Sequence, residues 1–271
     1  MSPVGEFSAE WLALREPADH RVRSARLARE IGGRVTWRSP LRIVDLGSGT
    51  GSNLRYLSRY LPPVQHWRMV DRDRALLARV RKPMSFAIVA SVHLLRRDLV
   101  NLEANADLFE AASLVTASAL LDLVSAAWME AVADRCRSAR AACLFALTYD
   151  GRIACTPSDR DDEMVRALVN EHQHTDKGFG PALGPDAAAF AERALTSRGF
   201  AVDRERSDWT LDAGDAELQR QLIDGWAAAA AAMHPPQRSV IEDWRARRIE
   251  HVAAGRSTIV VGHEDLAAWV R

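Results

Sequence analysis

The chain has 271 residues, 48% of them hydrophobic and 27% charged, the proportions of an ordinary soluble globular protein, which exclude disordered, fibrous and disulfide-scaffold classes. Its 36 basic residues cancel its 36 acidic ones, which removes the usual electrostatic footprint of a protein whose main partner is nucleic acid or an anionic membrane. A chain of this length buries about 75% of its unfolded surface, enough for one large core.

Cys136, Cys143 and Cys155 are too few and too irregularly spaced for a disulfide framework or a zinc site, and are read as reduced. No basic segment followed by an apolar run opens the chain, and the small-apolar run Ala227 to Met233 is far below membrane-spanning length. The expectation is a cytoplasmic protein with no membrane partner; its oligomeric state is not legible.

In chain order, Ser8 to Arg15 and Asp19 to Ile31 read as helices, the second with Val22, Leu27 and Ile31 inward and Gly32-Gly33 as its stop. Leu41 to Leu46 is a short apolar run suited to a buried strand. It ends in Gly47-Ser48-Gly49-Thr50-Gly51, before the helical stretch Asn53 to Leu61. Trp67 to Val70 gives a second strand ending at Asp71, and Asp73 caps a helix from Arg74 to Arg81, stopped by Pro83. Val92 to Leu95 is a third strand running into Asp98, Ser113 to Thr116 a fourth and Ala142 to Leu147 a fifth. Strands alternating with helices call for a parallel sheet covered on both faces.

Asp186 is read as the cap of a helix with Phe190, Ala194 and Leu195 inward, ended by Gly199, and a sixth strand spans Phe200 to Arg204. Helices over Asp215 to Met233 and Gln237 to Ala254 precede a last strand, Thr258 to Val261. The expected fold class is therefore α/β: a seven-stranded, Rossmann-like, doubly wound sheet with N-terminal helices and a helical insertion before the last strand.

The segment Asp45-Leu46-Gly47-Ser48-Gly49-Thr50-Gly51 carries the chemistry. Glycines at alternate positions let the backbone pass close under a ligand, and the following helix offers unpaired N–H groups above the loop. A dinucleotide fingerprint would want glycine where Ser52 stands, and a phosphate loop would need a lysine that is not there. A ligand held by its phosphates is thus disfavoured. Asp45 suits a cationic or amino group, and Asp71 suits bidentate hydrogen bonding to a ribose diol.

The glycine loop after strand one, the acid ending strand two and the Asp after strand three together resemble the class I S-adenosylmethionine-dependent methyltransferases, in particular bacterial members of unassigned substrate. The resemblance runs motif by motif from Leu41 to Leu147. It implies S-adenosyl-L-methionine as cofactor and an antiparallel last strand. Gly47, Gly49 and Gly51, with Ser48 and Asn53 adjoining, would line the methionine part, with Asp45 near its ammonium. Asp71, followed by Arg72, would take the ribose hydroxyls, Asp98 and the Leu99 backbone would meet the adenine, and Thr116, Ala117 and Ser118 would sit beside the sulfonium. On this reading residues 1–39 form a helical cover and 40–271 the methyltransferase domain (core 41–150, substrate loop 151–185, helical insertion 212–255), in one compact unit. The signatures of amino-group methyltransferases on adenine or glutamine and of cytosine methyltransferases are missing from Thr116 to Leu123.

Outside those motifs, Asn170 to Pro181 packs Glu171, His172, His174, Asp176 and Lys177 ahead of a Gly/Pro-rich turn, after strand five, where such a sheet places its substrate crevice. His172 or His174 could act as general base, and Glu171 and Lys177, with Tyr149, Asp150 and Arg152, are candidates for the substrate. The i, i+2 spacing of the two histidines argues against a metal, because such residues do not share a helix face. Seven arginines from Arg15 to Arg38 make the first segment locally basic, with Glu16, Asp19 and Glu30 interspersed. The function expected is methyl transfer from S-adenosyl-L-methionine to a small molecule, on oxygen, nitrogen or carbon. A non-catalytic cofactor-binding module, an RNA-modifying methyltransferase and a nicotinamide oxidoreductase are the alternatives.

Overall fold

The computed structural model describes residues 7–36, 38–81 and 88–270; the helix stop expected at Pro83 lies outside them. Two helices come first, α1 (Ala9–Val22) and α2 (Ala25–Arg34). Each starts on a serine cap, Ser8 Oγ accepting from Trp11 N at 3.0 Å and Ser24 Oγ from Leu27 N at 3.0 Å. The sheet then builds through β1 (Leu41–Leu46), α3 (Ser52–Leu57), β2 (Gln65–Asp71), α4 (Arg74–Leu77), β3 (Val89–Arg96), β4 (Leu114–Ser118), α5 (Ala126–Ala139) and β5 (Ala142–Thr156). Asp73 caps α4 as the sequence suggests, accepting from Ala75 N at 2.7 Å.

The remaining elements are α6 (Asp162–Gln173), α7 (Ala187–Thr196), β6 (Phe200–Arg206), β7 (Trp209–Leu211), α8 (Ala216–Met233), α9 (Arg238–Ala253) and β8 (Thr258–Val270). Strand order is β3-β2-β1-β4-β5-β8-β6, parallel from β3 to β5, with β8 antiparallel to both of its neighbours. That path contains the seven expected strands. The short β7, unforeseen, pairs with β8 off the path.

Period-two alternation in β1 divides the core. Ile43 faces a cluster with Leu27, Ile31, Leu54 and Trp67, whereas Val44 faces one with Val115, Met129, Phe145 and Leu195. A third cluster forms beyond the parallel strands, from Tyr149 of β5, Trp209 of β7, Val165 of α6, and Trp226 and Trp244 of α8 and α9.

Several expectations change. β5 does not stop at Leu147: Gly151, with φ +87°, absorbs a register irregularity, and pairing resumes from Ile153 opposite Val261 to Thr156 opposite Thr258. The stretch 151–185, read as a loop, therefore holds the end of β5 and all of α6. Asp186 stands at the start of α7 but its side chain makes no capping hydrogen bond.

Gly32-Gly33 does not end α2, which runs to Arg34. Gly32 is needed for another reason, since a Cβ there would lie 2.3 Å from the Tyr60 carbonyl oxygen, whereas one at Gly33 would meet nothing. Gly32→Ala is expected to destabilise the protein by about 1–3 kcal/mol through forced separation of α2 from the Tyr60 turn, and Gly33→Ala to stabilise it by up to about 1 kcal/mol; urea unfolding of both variants checks the contrast.

Candidate functional site

The site opens at the carboxyl ends of the parallel strands. Leaving β1, the chain turns through Gly47 (φ +66°) and Gly49 (φ +51°), left-handed conformations that side chains disfavour. Space is also short, because a Cβ on Gly49 would lie 3.0 Å from the Leu12 side chain of α1. Asp71, at the end of β2, holds the loop and the start of α4 together: Oδ2 accepts from Gly49 N at 2.8 Å and Oδ1 from Asp73 N at 2.9 Å. Each carboxylate oxygen keeps a second lone pair.

A first chamber lies over this loop. Asp45, Gly47, Ser48, Gly49 and Asn53 form its floor, Asp71 and Arg72 one side, Asp98 and Leu99 another, and Ser118 to Leu120 the third, with Leu12, Arg15 and Asp19 of α1 above. Asp98 is positioned by its own turn, Oδ1 accepting from Val100 N at 3.0 Å, and Leu99 by Trp128 Nε1, which donates to its carbonyl at 2.7 Å. Three residues expected here do not line the chamber. Thr116 is sealed inside the sheet, donating to the Leu144 carbonyl at 2.6 Å, and Ala117 is buried in the core. Gly51 turns toward Val80 and Arg55.

The floor is held by one carboxamide. Asn53 Nδ2 donates to Asp45 Oδ1 at 2.7 Å and to Thr116 Oγ1 at 3.0 Å, while Asn53 Oδ1 accepts from Arg23 Nη2 at 2.7 Å. Asp45 Oδ2 and Ser48 Oγ, both buried, have no hydrogen-bond partner among the described residues. Burial raises the Asp45 carboxyl to about 7, against the Asn53 hydrogen bond and the Arg23 charge, which lower it.

A second chamber, of about 450 Å³, adjoins the first, and both are lined by Phe7, Arg15, Ala119, Leu123 and Lys177. Ala119, at φ +52°, turns the chain off β4 at this boundary. Tyr149 of β5, Trp11 of α1, Trp209 of β7 and Trp226 of α8 supply aromatic walls. Arg15 crosses between the chambers, its Nε 3.0 Å from Asp19 Oδ2 and its guanidinium 4.9 Å from the Trp209 ring centre.

The residues between 149 and 177 divide. His172, in the last turn of α6, lines the second chamber, as do Lys177 and Tyr149. Lys177 Nζ donates to the His172 carbonyl at 2.8 Å and to Thr175 Oγ1 at 2.9 Å, and lies 3.2 Å from His172 Nδ1. Burial, then the Lys177 charge, lowers the pKa of His172. His174 lies elsewhere, with Nδ1 3.3 Å from the Ala182 carbonyl and Nε2 3.8 Å from Asp186. Glu171 is exposed and lines neither chamber. Asp150 and Arg152 also line neither: Arg152 pairs with Asp150 and, at 2.7 Å, with Asp208, tying β5 to the segment before β7.

Asp122 and His263 line the second chamber and were not foreseen. Both are buried, and Asp122 Oδ1 and His263 Nδ1 have no hydrogen-bond partner among the described residues. Burial lifts the Asp122 carboxyl to about 6 and lowers the His263 imidazole to about 3. The available signal was one acid inside the apolar run Ala119-Leu120-Leu121-Asp122-Leu123-Val124.

Several of the N-terminal arginines are paired within the fold. Arg21 pairs with Asp215 at 2.8 Å, Arg26 with Asp203 at 2.6 Å and Arg34 with Glu30 at 2.7 Å, while Arg38 donates to the Arg140 carbonyl at 2.6 Å. Among the described residues no helix is long and apolar enough to cross a membrane, and no group of three or more His, Cys, Asp or Glu side chains is placed to hold a metal ion.

No protein-family model matches the sequence, and no curated protein matches it. Solved structures do match. The cyclopropane synthase MmaA2 from Mycobacterium tuberculosis superposes with a TM-score of 0.51 at 12% identity, covering 97% of this chain and 94% of that one. A cyclopropane-fatty-acyl-phospholipid synthase-like protein from Lactobacillus casei ATCC 334 superposes with a TM-score of 0.51 at 13% identity, covering 98% and 95%. The chain has the class I S-adenosylmethionine-dependent methyltransferase fold. At these identities the likeness concerns the fold.

The Lys177 contact has a measurable consequence. Replacing Lys177 by Met removes a cation beside His172 while keeping most of the bulk, so the His172 pKa is expected to rise toward the ordinary imidazole value; NMR titration of the ring protons reads it.

Proposed function

We propose that this chain is a methyltransferase that uses S-adenosyl-L-methionine to methylate a small molecule bound in the second chamber. The observation that carries the reading is Asp45 Oδ2, a buried carboxylate oxygen with no partner among the described residues, on a side chain at the floor of a chamber whose loop is shaped by left-handed glycines. A buried carboxylate left unpaired is costly. A ligand ammonium would satisfy it, and the remaining lone pairs of Asp71 fit a pair of ribose hydroxyls. Asp98 and Leu99 offer one wall for a planar base, and the crowding of Gly49 by Leu12 leaves room only for a close-lying backbone. The residues present thus fit the cofactor.

When bound, the cofactor supplies a methyl group on a positively charged sulfur. The chain's own residues then have three tasks: to align the acceptor, exclude water and receive a proton. Alignment falls to the boundary residues Ala119 and Leu123, which touch both chambers. Water exclusion falls to α1, whose Leu12 and Arg15 lie over the first chamber and whose Trp11 and Arg15 reach the second.

For the proton, His172 and Asp122 compete. A Lys177 ammonium donating to His172 Nδ1 leaves the ring proton on Nε2, so the imidazole can accept a proton only by giving up that contact. Among the described residues Asp122 Oδ1 has no hydrogen-bond partner, and its carboxyl, raised by burial to about 6 against backbone N–H groups of Asp122 and Tyr149, suits a base working at neutral pH. We assign the proton to Asp122, with Lys177 and His172 as part of the wall. RNA as acceptor is disfavoured by the pairing of the N-terminal arginines described above.

Calorimetry with S-adenosylhomocysteine tests the cofactor. One molecule per chain is expected to bind tighter than about 1 mM, with Asp71→Ala weakening it about 10- to 100-fold; no binding at that concentration overturns the reading. Proton linkage gives a second test. The free protein holds Asp45 protonated below about 7, and an ammonium beside it lowers that pKa, so binding near pH 6 releases a proton. Titrations in buffers of different ionisation enthalpy should show this release in the natural protein and not in Asp45→Asn. Without ligand the sign for folding is opposite: a carboxyl raised by burial costs stability as pH climbs from its unfolded value, 3.8, toward 7.

A further inference from the structure

We infer that the second chamber takes an uncharged, planar, hydroxyl-bearing molecule, a hydroxyaromatic, with its ring against Trp226 and its hydroxyl donated to the Asp122 carboxylate. This rests on the methyltransferase reading only for the occupant of the neighbouring chamber.

The walls set the ring. Indoles from α1, β7 and α8 and the phenol of Tyr149 surround the space, with aliphatic Leu147, Val169 and Val261 between them. Flat side chains of this kind offer large apolar faces for offset or edge-on contact with another ring. About 450 Å³ lies within the usual range for a small-molecule site.

The polar groups set the charge. An anion meets the buried Asp122 carboxylate, and the nearby cations have little to offer it. Lys177 Nζ directs its hydrogens at the His172 carbonyl, Thr175 Oγ1 and His172 Nδ1, and Arg15 is engaged by Asp19. A cation meets Arg15 and Lys177, whose field already disfavours charge on the two chamber histidines: Arg15 acts on His263 and Lys177 on His172. Among the described residues three atoms of chamber-lining side chains are buried without a hydrogen-bond partner: Asp122 Oδ1, which needs a donor, Trp209 Nε1, which needs an acceptor, and His263 Nδ1, which takes either. A neutral hydroxyl fills the first vacancy without adding charge.

The test is a binding panel on the full chain, read by calorimetry, with and without saturating S-adenosylhomocysteine. The probes share one ring system: 2-naphthol, 2-methoxynaphthalene, 2-naphthoate and 2-naphthylmethylammonium. We expect 2-naphthol to bind about tenfold or more tighter than each of the other three, the size of one buried hydrogen bond to a charged acceptor. Asp122→Leu should erase the preference for the naphthol over its methyl ether while leaving S-adenosylhomocysteine affinity within about twofold. Trp226→Ala should weaken all four probes together. Tighter binding of the acid or the ammonium, equal binding of naphthol and ether, a preference that survives Asp122→Leu, or no binding of any probe would each overturn the inference. Because the probes are also measured alone, a protein that ignores S-adenosylhomocysteine yet selects naphthol would sink the cofactor reading and spare this one.

Discussion

Two buried side chains, Asn53 and Asp265, fasten the elbow between α1 and α2 to the end of the sheet where the strands of β1 and β4 finish. Asn53 ties Arg23 to Asp45 and Thr116, as described above. Asp265, from the middle of β8, accepts from Ser24 N at 2.8 Å, from Leu147 N at 2.8 Å and from Ser207 Oγ at 2.7 Å. Each acceptor lies inside the protein, where an unmade hydrogen bond costs far more than a made one returns. The position of α1 over the glycine loop follows from this pinning. So does the closeness of Leu12 to Gly49, which crowds any side chain placed at that one position.

The sequence was most legible where chemistry and geometry coincide within a short stretch. Strand β1, the glycine loop and the acids at positions 71 and 98 sit within a few residues of their structural reasons, and the pattern survives reading one residue at a time. Gly32 shows the opposite. Two adjacent glycines after a helical stripe have the local appearance of a stop, yet one of them is dictated by the Tyr60 carbonyl, a contact across 28 positions of chain that no local pattern encodes.

The second chamber was hidden for the same reason on a larger scale. Trp11, Asp122, Tyr149, Trp209, Trp226 and His263 come from six elements or turns spread over most of the chain, and each alone reads as ordinary core. The titratable cluster from Glu171 to Lys177 stands out in the sequence because it is contiguous. Folding then sent His172 and Lys177 inward and Glu171 and His174 away, since side chains two apart on the last turn of a helix and its exit point in different directions. Strands β5 and β8 run on through Asp150-Gly151-Arg152 and Gly262-His263-Glu264, where polar and flexible residues imitate a turn but serve instead to bring Arg152, Asp208 and His263 to neighbouring positions.

The two chambers draw on different lengths of chain. Every residue lining the first precedes position 180, whereas the outer wall of the second comes from Trp209, from Gln221 to Ala229 on α8, and from Val261 and His263. Heredity can therefore treat the molecule as two parts. Exchange of the helical pair between β7 and β8 would change that outer wall without touching the residues under the glycine loop.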